Sequence, residues 1–187
     1  LVTSLFLMFS GDESGYQVAR TQPMKLAAME GLYKGETNAG LVAMGILDPS
    51  KKAGDDKDPF FLEIKIPYML GVIATRGFNN FTAGIDDLVY GNEKHDIESV
   101  VSKMEKGKIA VAALKEYKDA QKMGDKAAMS AAQSKLEANL NFLGYGYLEK
   151  PTDAVPPVGL TFYSFHVMVA LGSYFLALFF VVLYLCM

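Results

Sequence analysis

Lys25 and Glu30 are side chains whose types could do chemistry together. A carboxylate can accept a proton, and a nearby ammonium group can stabilise the oxyanion that is left behind. The two residues are five positions apart, so on a helix they would not form an ideal ion pair, and Glu30 with Lys34 is better spaced. On spacing alone, a solvated polar face of a helix also explains Lys25 and Glu30.

His166 and Met168 lie in a strongly apolar segment, where an ionisable residue is a hypothesis of function by default. Methionine sulfur serves as an axial ligand of electron-transfer haems, in which it raises the potential. Residues two apart do not share a helix face, so one metal ion would not bind both side chains. The alternatives are that Met168 fills a gap in the packing and that His166 reaches the interface or a neighbouring helix. His95 lies among charged residues and is expected at the surface.

Composition excludes several classes of protein. The chain has 187 residues, of which 51% are apolar, and this fraction rules out a disordered chain. Its net charge of −3 argues against nucleic acid as a partner, because such surfaces need clustered positive charge. Cys186 is the single cysteine, so a disulfide scaffold and a multi-cysteine metal site are excluded.

Charge is segregated along the chain, since all 18 basic and 21 acidic residues lie between Asp12 and Asp153. Residues 158–187 carry none, and as a helix they would reach roughly 45 Å, enough to cross a bilayer. We therefore predict a transmembrane helix over 158–187. Residues 1–10 are equally apolar, and Gly11-Asp12-Glu13 follows them, which predicts the end of another transmembrane helix whose start is missing.

The polar residues 11–157 are predicted to form a loop domain between the two membrane segments. A short helix is expected to begin at Pro23, which suits the first helical position, and to end towards Gly35. Residues 40–59 are expected to be irregular. The alternation in residues 60–66 predicts an extended segment, followed by a helix of about ten residues.

Two amphipathic helices parted near Gly124 are predicted over about 97–143, as a helical hairpin. The predicted fold class is therefore an all-α membrane-protein fragment, in which transmembrane helices flank a mostly helical extracytoplasmic loop domain. The mild acidity of the loop is compatible with that side of the membrane, although charge does not orient loops of this length.

Several ordered motifs resemble subunit I of the cytochrome bd quinol oxidases, at the end of its sixth membrane helix, its long quinol-binding loop and its seventh membrane helix. The resemblance covers essentially the whole chain. The matching stretches are Gly11-Asp12-Glu13-Ser14-Gly15-Tyr16, Gln22-Pro23-Met24-Lys25-Leu26-Ala27-Ala28-Met29-Glu30, Ile66-Pro67-Tyr68-x-Leu70-Gly71-x-Ile73-Ala74-Thr75-Arg76, Leu143-Gly144-Tyr145-Gly146, and Pro157 through Phe165-x-x-Met168-Val169.

The resemblance implies roles for three residues. Lys25 and Glu30 match the loop residues needed for quinol oxidation, and Met168 matches the methionine ligand of the low-spin haem b. A high-spin haem b and haem d, which reduces oxygen to water, would be ligated elsewhere in the full subunit. In place of an arginine found in a familiar relative, the chain has His166, so that arginine's role does not carry over directly.

The family further implies partners and a location. The rest of subunit I, subunit II, membrane lipid and quinol are the expected partners, in a bacterial cytoplasmic (inner) membrane. The chain would be the quinol-oxidising part of an enzyme that is inactive as a fragment. Two alternatives stay open: a non-enzymatic, membrane-anchored helical ectodomain for partner binding or assembly, and a relative of the oxidase that has lost its activity.

Overall fold

A computed structural model describes residues 2–77 and 79–186 of the chain. Its contacts divide the chain into two compact units, one made of Leu1–Asp86 with Val155–Met187 and the other of Asp87–Ala154. The chain is mostly helical, as predicted, and it also contains two small antiparallel sheets that the all-α prediction missed.

The first helix, α1, runs over Val2–Thr21 without interruption. The predicted end near Gly11 is wrong, because a glycine costs an exposed helix only about 1 kcal/mol and no proline intervenes. The helix ends before Pro23, whose ring disfavours helical geometry at the residue before it, and Gln22 there has φ −136° and ψ 59°. That residues 1–10 end a membrane-crossing segment stays a prediction.

The short helix α2 covers Pro23–Glu30, with proline in its first turn as predicted. It ends earlier than expected, because Gly31 takes a left-handed conformation with φ 62° and donates its N–H to the carbonyls of Ala27 and Ala28. A Cβ atom added to Gly31 would lie 2.6 Å from Cζ of Phe60, so any other residue there would have to displace that ring. Glu30 is thus the last helical residue, at the point where the chain turns.

Strands β2, Leu41–Leu47, and β3, Phe60–Ile66, pair antiparallel, while β1, Glu36–Thr37, pairs with β4, Phe81–Thr82. The expectation of irregular structure over 40–59 is therefore wrong for β2, whereas the extended segment at 60–66 is confirmed. A strand needs a partner, and the partner of β2 is supplied by residues that follow a long loop.

Helix α3, Met69–Thr75, follows β3, and its Leu70 and Ala74 join Leu26 of α2 in a buried apolar cluster. Arg76, the next residue, has Nη2 2.7 Å from Asp12 Oδ2 and 3.3 Å from Glu13 Oε2. This ion pair connects two of the matched motifs, one in α1 and the other at the end of α3.

The second unit contains the two helices that the spacing predicts on either side of Gly124. They are α5, Val100–Met123, and α6, Lys126–Asn139. Gly124 has φ 72° and caps α5, and the Asp125 side chain accepts the N–H groups of Ala127 and Ala128 to open α6. The remaining helical elements near this unit's ends are α4, Ile85–Tyr90, and 3₁₀ turns at Glu93–His95, Leu140–Tyr147 and Pro151–Ala154.

The last helix, α7, runs over Val158–Cys186, and its 29 residues include no Asp, Glu, Lys or Arg. It ends the stretch Pro151–Cys186, which among the described residues is the one helical segment long and apolar enough to cross a membrane. Most of its large apolar side chains are exposed.

Candidate functional site

Glu30 is a buried carboxyl group at the end of α2. Only 2% of the residue is exposed, and Oε2 has no hydrogen-bond partner among the described residues. Burial raises the pKa of Glu30 to about 7, against the opposing effects of the His166 charge and a hydrogen bond from the Val42 backbone. A carboxyl group with this pKa exchanges a proton near neutral pH, which suits a general base.

His166 reaches the same place from α7. Its Nε2 lies 2.7 Å from the carbonyl oxygen of Val42, and its Nδ1 lies 2.9 Å from the carbonyl oxygen of Phe162. The imidazole ring also stacks on the Phe162 ring, with the centroids 4.0 Å apart. The side chain is therefore held on three sides, and its position is set by α7 and β2 together.

A buried apolar cluster fixes α7 against β2. Phe162 is 1% exposed and packs with Val42 and Leu47, and its ring centroid lies 5.5 Å from that of Phe60. The neighbouring Tyr163 hydroxyl accepts the backbone N–H of Leu47 at 3.0 Å. Burial of a phenylalanine side chain stabilises a fold by about 1.5–3 kcal/mol, so this contact holds the start of α7 in place.

A cavity of about 440 Å³ adjoins Glu30. It is within the size range of small-molecule sites and its wall combines apolar and charged side chains. Its lining includes Glu30, Gly40, Val42, Phe60, Lys65 and Leu70. The cavity thus places a proton acceptor beside a space that could hold a ring-sized ligand.

Lys25 lies on the exposed part of α2, whereas Glu30 is buried. Five positions at roughly 100° per residue place the two side chains about 140° apart around the helix. The alternative partner, Lys34, lies beyond the end of α2, and its Nζ is 3.1 Å from Asp56 Oδ1. The expectation that Lys34 is the better partner for Glu30 is therefore wrong, because Gly31 ends the helix between them.

Met168 is 62% exposed on α7, while His166, two positions earlier, is half-buried against β2. The expectation that the two side chains occupy different faces is confirmed. Haem iron can take a methionine sulfur as an axial ligand. The exposed thioether of Met168 on a membrane-length helix is therefore compatible with haem as a cofactor. The described residues contain no group of three or more His, Cys, Asp or Glu side chains that could hold a metal ion.

His95 belongs to the second unit, in the 3₁₀ turn Glu93–His95, and is partly exposed. The structural feature that sequence reasoning missed is the contact of His166 with Val42. His166 and Val42 are 124 residues apart in the chain, so no local sequence pattern predicts their hydrogen bond. The one available signal was an ionisable residue inside an apolar helix.

Comparison with known families agrees with these features. Residues 1–187 match the family described as cytochrome bd terminal oxidase subunit I, so the chain belongs to that family. The resemblance inferred from the motifs is thereby confirmed, and the family is one of oxidoreductases of electron transport.

Among individual proteins, the chain is similar to cytochrome bd-II ubiquinol oxidase subunit 1 of Escherichia coli (strain K12). The two are 27% identical over an alignment 183 positions long, which covers 87% of this chain. The chain spans 31% of the length of that relative.

Proposed function

We propose that this chain forms the quinol-oxidising part of a cytochrome bd-type oxidase, with Glu30 as the base that accepts a quinol hydroxyl proton. The observation that carries the proposal is the buried Glu30 carboxyl, whose Oε2 has no partner among the described residues and which borders a cavity of about 440 Å³. Oxidation of a quinol releases two electrons and two protons, so a base must stand beside the headgroup.

The state of Glu30 supports this role. Because burial raises its pKa to about 7, the carboxylate and the carboxylic acid are both populated near neutral pH. The carboxylate can take a proton from the quinol, and the acid can then release it towards water. The charged groups in the wall of the cavity provide a polar route outward from a buried position.

Lys25 is proposed to stabilise the developing quinol oxyanion or the product carbonyl. Its exposure on the helix that carries Glu30 leaves the ammonium group accessible to a ligand that approaches from outside the described chain. The 140° separation means that the two residues would contact different parts of the quinol or its path, rather than one hydroxyl group.

Met168 is proposed as an axial ligand of a low-spin haem b. When bound, this haem would supply a one-electron acceptor near the quinol site. The chain's own contribution is to hold the thioether on α7, the helix that β2 contacts at Phe162 and His166. The high-spin haem b and haem d would belong to the rest of subunit I, which would assemble with subunit II.

The proposed setting is the bacterial cytoplasmic membrane. Helix α7 has the length and composition of a membrane span, and residues 11–157 would lie on the extracytoplasmic side. A lipid-soluble quinol could then reach α2 from the membrane, and protons would leave on the outer side.

The test is Glu30→Gln in the full oxidase, assayed in membranes for oxygen consumption with quinol. Removal of a general base should lower the turnover number by on the order of 10²-fold. Haem spectra after reduction by dithionite should stay unchanged, since that reductant does not need the quinol site. Glu105→Gln, an exposed carboxyl in α5, is the matched control and should keep wild-type turnover. Wild-type quinol oxidation in Glu30→Gln would refute the assignment.

A further inference from the structure

Lys51 is a buried lysine in the loop of residues 48–59, which connects β2 to β3. Only 6% of the residue is exposed, and it lines the cavity of about 440 Å³ together with Glu30. Among the described residues, Glu30 and Lys51 are the two buried residues that carry a charged side chain. A buried charge loses its hydration and needs partners. One cavity thus has both a buried carboxyl group and a buried cation in its wall.

Two contacts hold the ammonium group of Lys51. It donates to the backbone carbonyl of Asp55, and its Nζ lies 4.9 Å from the centroid of the Tyr33 ring. The Tyr33 hydroxyl in turn donates to the carbonyl oxygen of Lys51 at 3.3 Å. An ammonium group has three N–H donors, and the Asp55 carbonyl accepts from one of them. The group can therefore donate to a ligand without giving up its place on Tyr33.

The loop that carries Lys51 is held in shape by aspartate side chains. Three carboxylates each accept a backbone N–H group of this loop. The pairs are Asp48 with Ser50 at 2.8 Å, Asp55 with Lys52 at 3.2 Å, and Asp86 with Gly54 at 2.8 Å. A group that is already fixed in place loses less conformational freedom when it binds a ligand. The position of Lys51 is thus set by the fold.

The other lysines of the cavity wall are exposed and bond to side chains of the protein. The pairs are Lys34 with Asp56 at 3.1 Å, Lys65 with Glu63 at 3.2 Å, and Lys57 with Ser50 Oγ at 3.2 Å. By contrast, the acceptor that Lys51 bonds is a neutral backbone carbonyl. Among the described residues of this wall, Lys51 is therefore the buried cation that can offer N–H groups to a ligand.

We propose that Lys51 is a binding residue for the quinol headgroup: its ammonium group donates to the ring oxygen opposite the one that meets Glu30. The inference rests on the proposed function of Glu30. A quinol has two oxygens at opposite ends of one ring, and the product quinone has two carbonyl acceptors in their place. Glu30 accepts a proton at one end of the headgroup, and Lys51 donates a hydrogen bond at the other.

The experiment measures competitive inhibition of the oxidation of a short-chain quinol, in membranes that contain the full oxidase. The two probes are duroquinone, which has both oxygens, and the corresponding tetramethylphenol, which lacks the second oxygen and keeps the hydroxyl that meets Glu30. Lys51→Met removes the ammonium group but keeps an unbranched apolar side chain, and Lys51→Arg keeps a charged donor. Lys52→Met, at the exposed neighbouring position, is the matched control.

Loss of a hydrogen bond from a charged donor should weaken binding by on the order of tenfold. We therefore expect Lys51→Met to raise the KM for quinol and the inhibition constant of duroquinone by about this factor. The inhibition constant of tetramethylphenol should keep its wild-type value, because this probe makes no contact with the ammonium group. Lys51→Arg should retain most of the affinity for duroquinone, and Lys52→Met should change none of these constants.

Haem spectra in the same membranes show whether each variant assembles. If Lys51→Met does not assemble, Lys51→Gln takes its place, and the same selective loss of duroquinone binding is expected. An unchanged inhibition constant for duroquinone would overturn the binding role. An equal loss of both probes would also overturn it, because that result would mean that Lys51 only supports the loop.

Glu30→Gln separates this inference from the proposed function. If Glu30→Gln oxidises quinol normally, the proposed function fails, while a selective loss of duroquinone binding in Lys51→Met would still place a quinone oxygen at Lys51. If Glu30→Gln is inactive and Lys51→Met binds duroquinone like the wild type, only the role of Lys51 fails.

Discussion

The imidazole of His166 lies 2.7 Å, through Nε2, from the carbonyl oxygen of Val42. This contact joins the membrane-length helix α7 to the buried Val42 of strand β2, 124 residues earlier in the chain. Val42 and Glu30 both line the cavity of about 440 Å³. The buried carboxyl group and the helix that carries Met168 are thereby held in one local structure.

Quinol oxidation should rise with pH through a midpoint near 7. A general base works as the carboxylate, and burial raises the pKa of Glu30 from 4.5 to about 7, so activity is lost as the pH falls through that value. The measurement is kcat/KM for quinol between pH 5.5 and 9. An acid limb centred near 4.5, or a flat profile, would contradict the assignment.

Glu30→Gln should stabilise the protein above pH 7. Because the folded pKa is raised above the unfolded value, the native state binds more protons between pH 4.5 and 7, and stability falls as the pH rises through this window. A neutral amide avoids the cost of a buried charge. Thermal scans of the purified oxidase at pH 5 and pH 8 should show a higher Tm for the variant at pH 8 only. An equal difference at both pH values would argue against burial of the charged form.

Lys25→Ala should reduce quinol oxidation by roughly tenfold and leave the haem spectra intact, because the ammonium group is proposed to stabilise charge on the quinol. Its side chain is exposed, so the free energy of unfolding should change by less than about 0.5 kcal/mol. Lys108→Ala, an exposed lysine of α5, is the matched control. Normal turnover in Lys25→Ala would mean that Lys25 is a solvated surface charge without a role in the reaction.

Met168→Leu should perturb the spectrum of the low-spin haem b and lower its potential, because a thioether ligand raises the potential of a haem. Redox titration of the haem spectra in membranes measures both effects. Met123→Leu, an exposed methionine at the end of α5, should leave the spectrum unchanged. An unaltered spectrum in Met168→Leu would mean that the side chain only packs.

Phe162→Ala should destabilise the start of α7 by about 3–5 kcal/mol, since the buried ring fills the contact with β2 and stacks on His166. The apparent Tm of the purified oxidase measures the loss. Phe61→Ala, whose side chain is 70% exposed, is the control and should change little. Equal Tm values for the two variants would show that the Phe162 cluster does not anchor α7.

Local patterns predicted much of the secondary structure. Proline at the start of α2, the two helices around Gly124 and the extended segment at 60–66 follow from short-range rules and are present. Strand β2 was missed because its partner is distant in sequence. The end of α1 was misplaced because Gly11 and Asp12 weaken a helix without stopping it, whereas Pro23 disfavours helical geometry at Gln22.

The amino-acid sequence by itself determined the family, through ordered motifs, and the apolar C-terminal helix, through an unbroken run without charge. It also placed Lys25 and Glu30 on one short helix. Only the tertiary structure decided that Glu30 is buried, that Lys25 is exposed, and that His166 meets Val42. Those outcomes depend on contacts between residues that are distant in the chain. The solvation of a carboxyl group and the charges near it are set by the residues that pack around it, not by its neighbours in the chain.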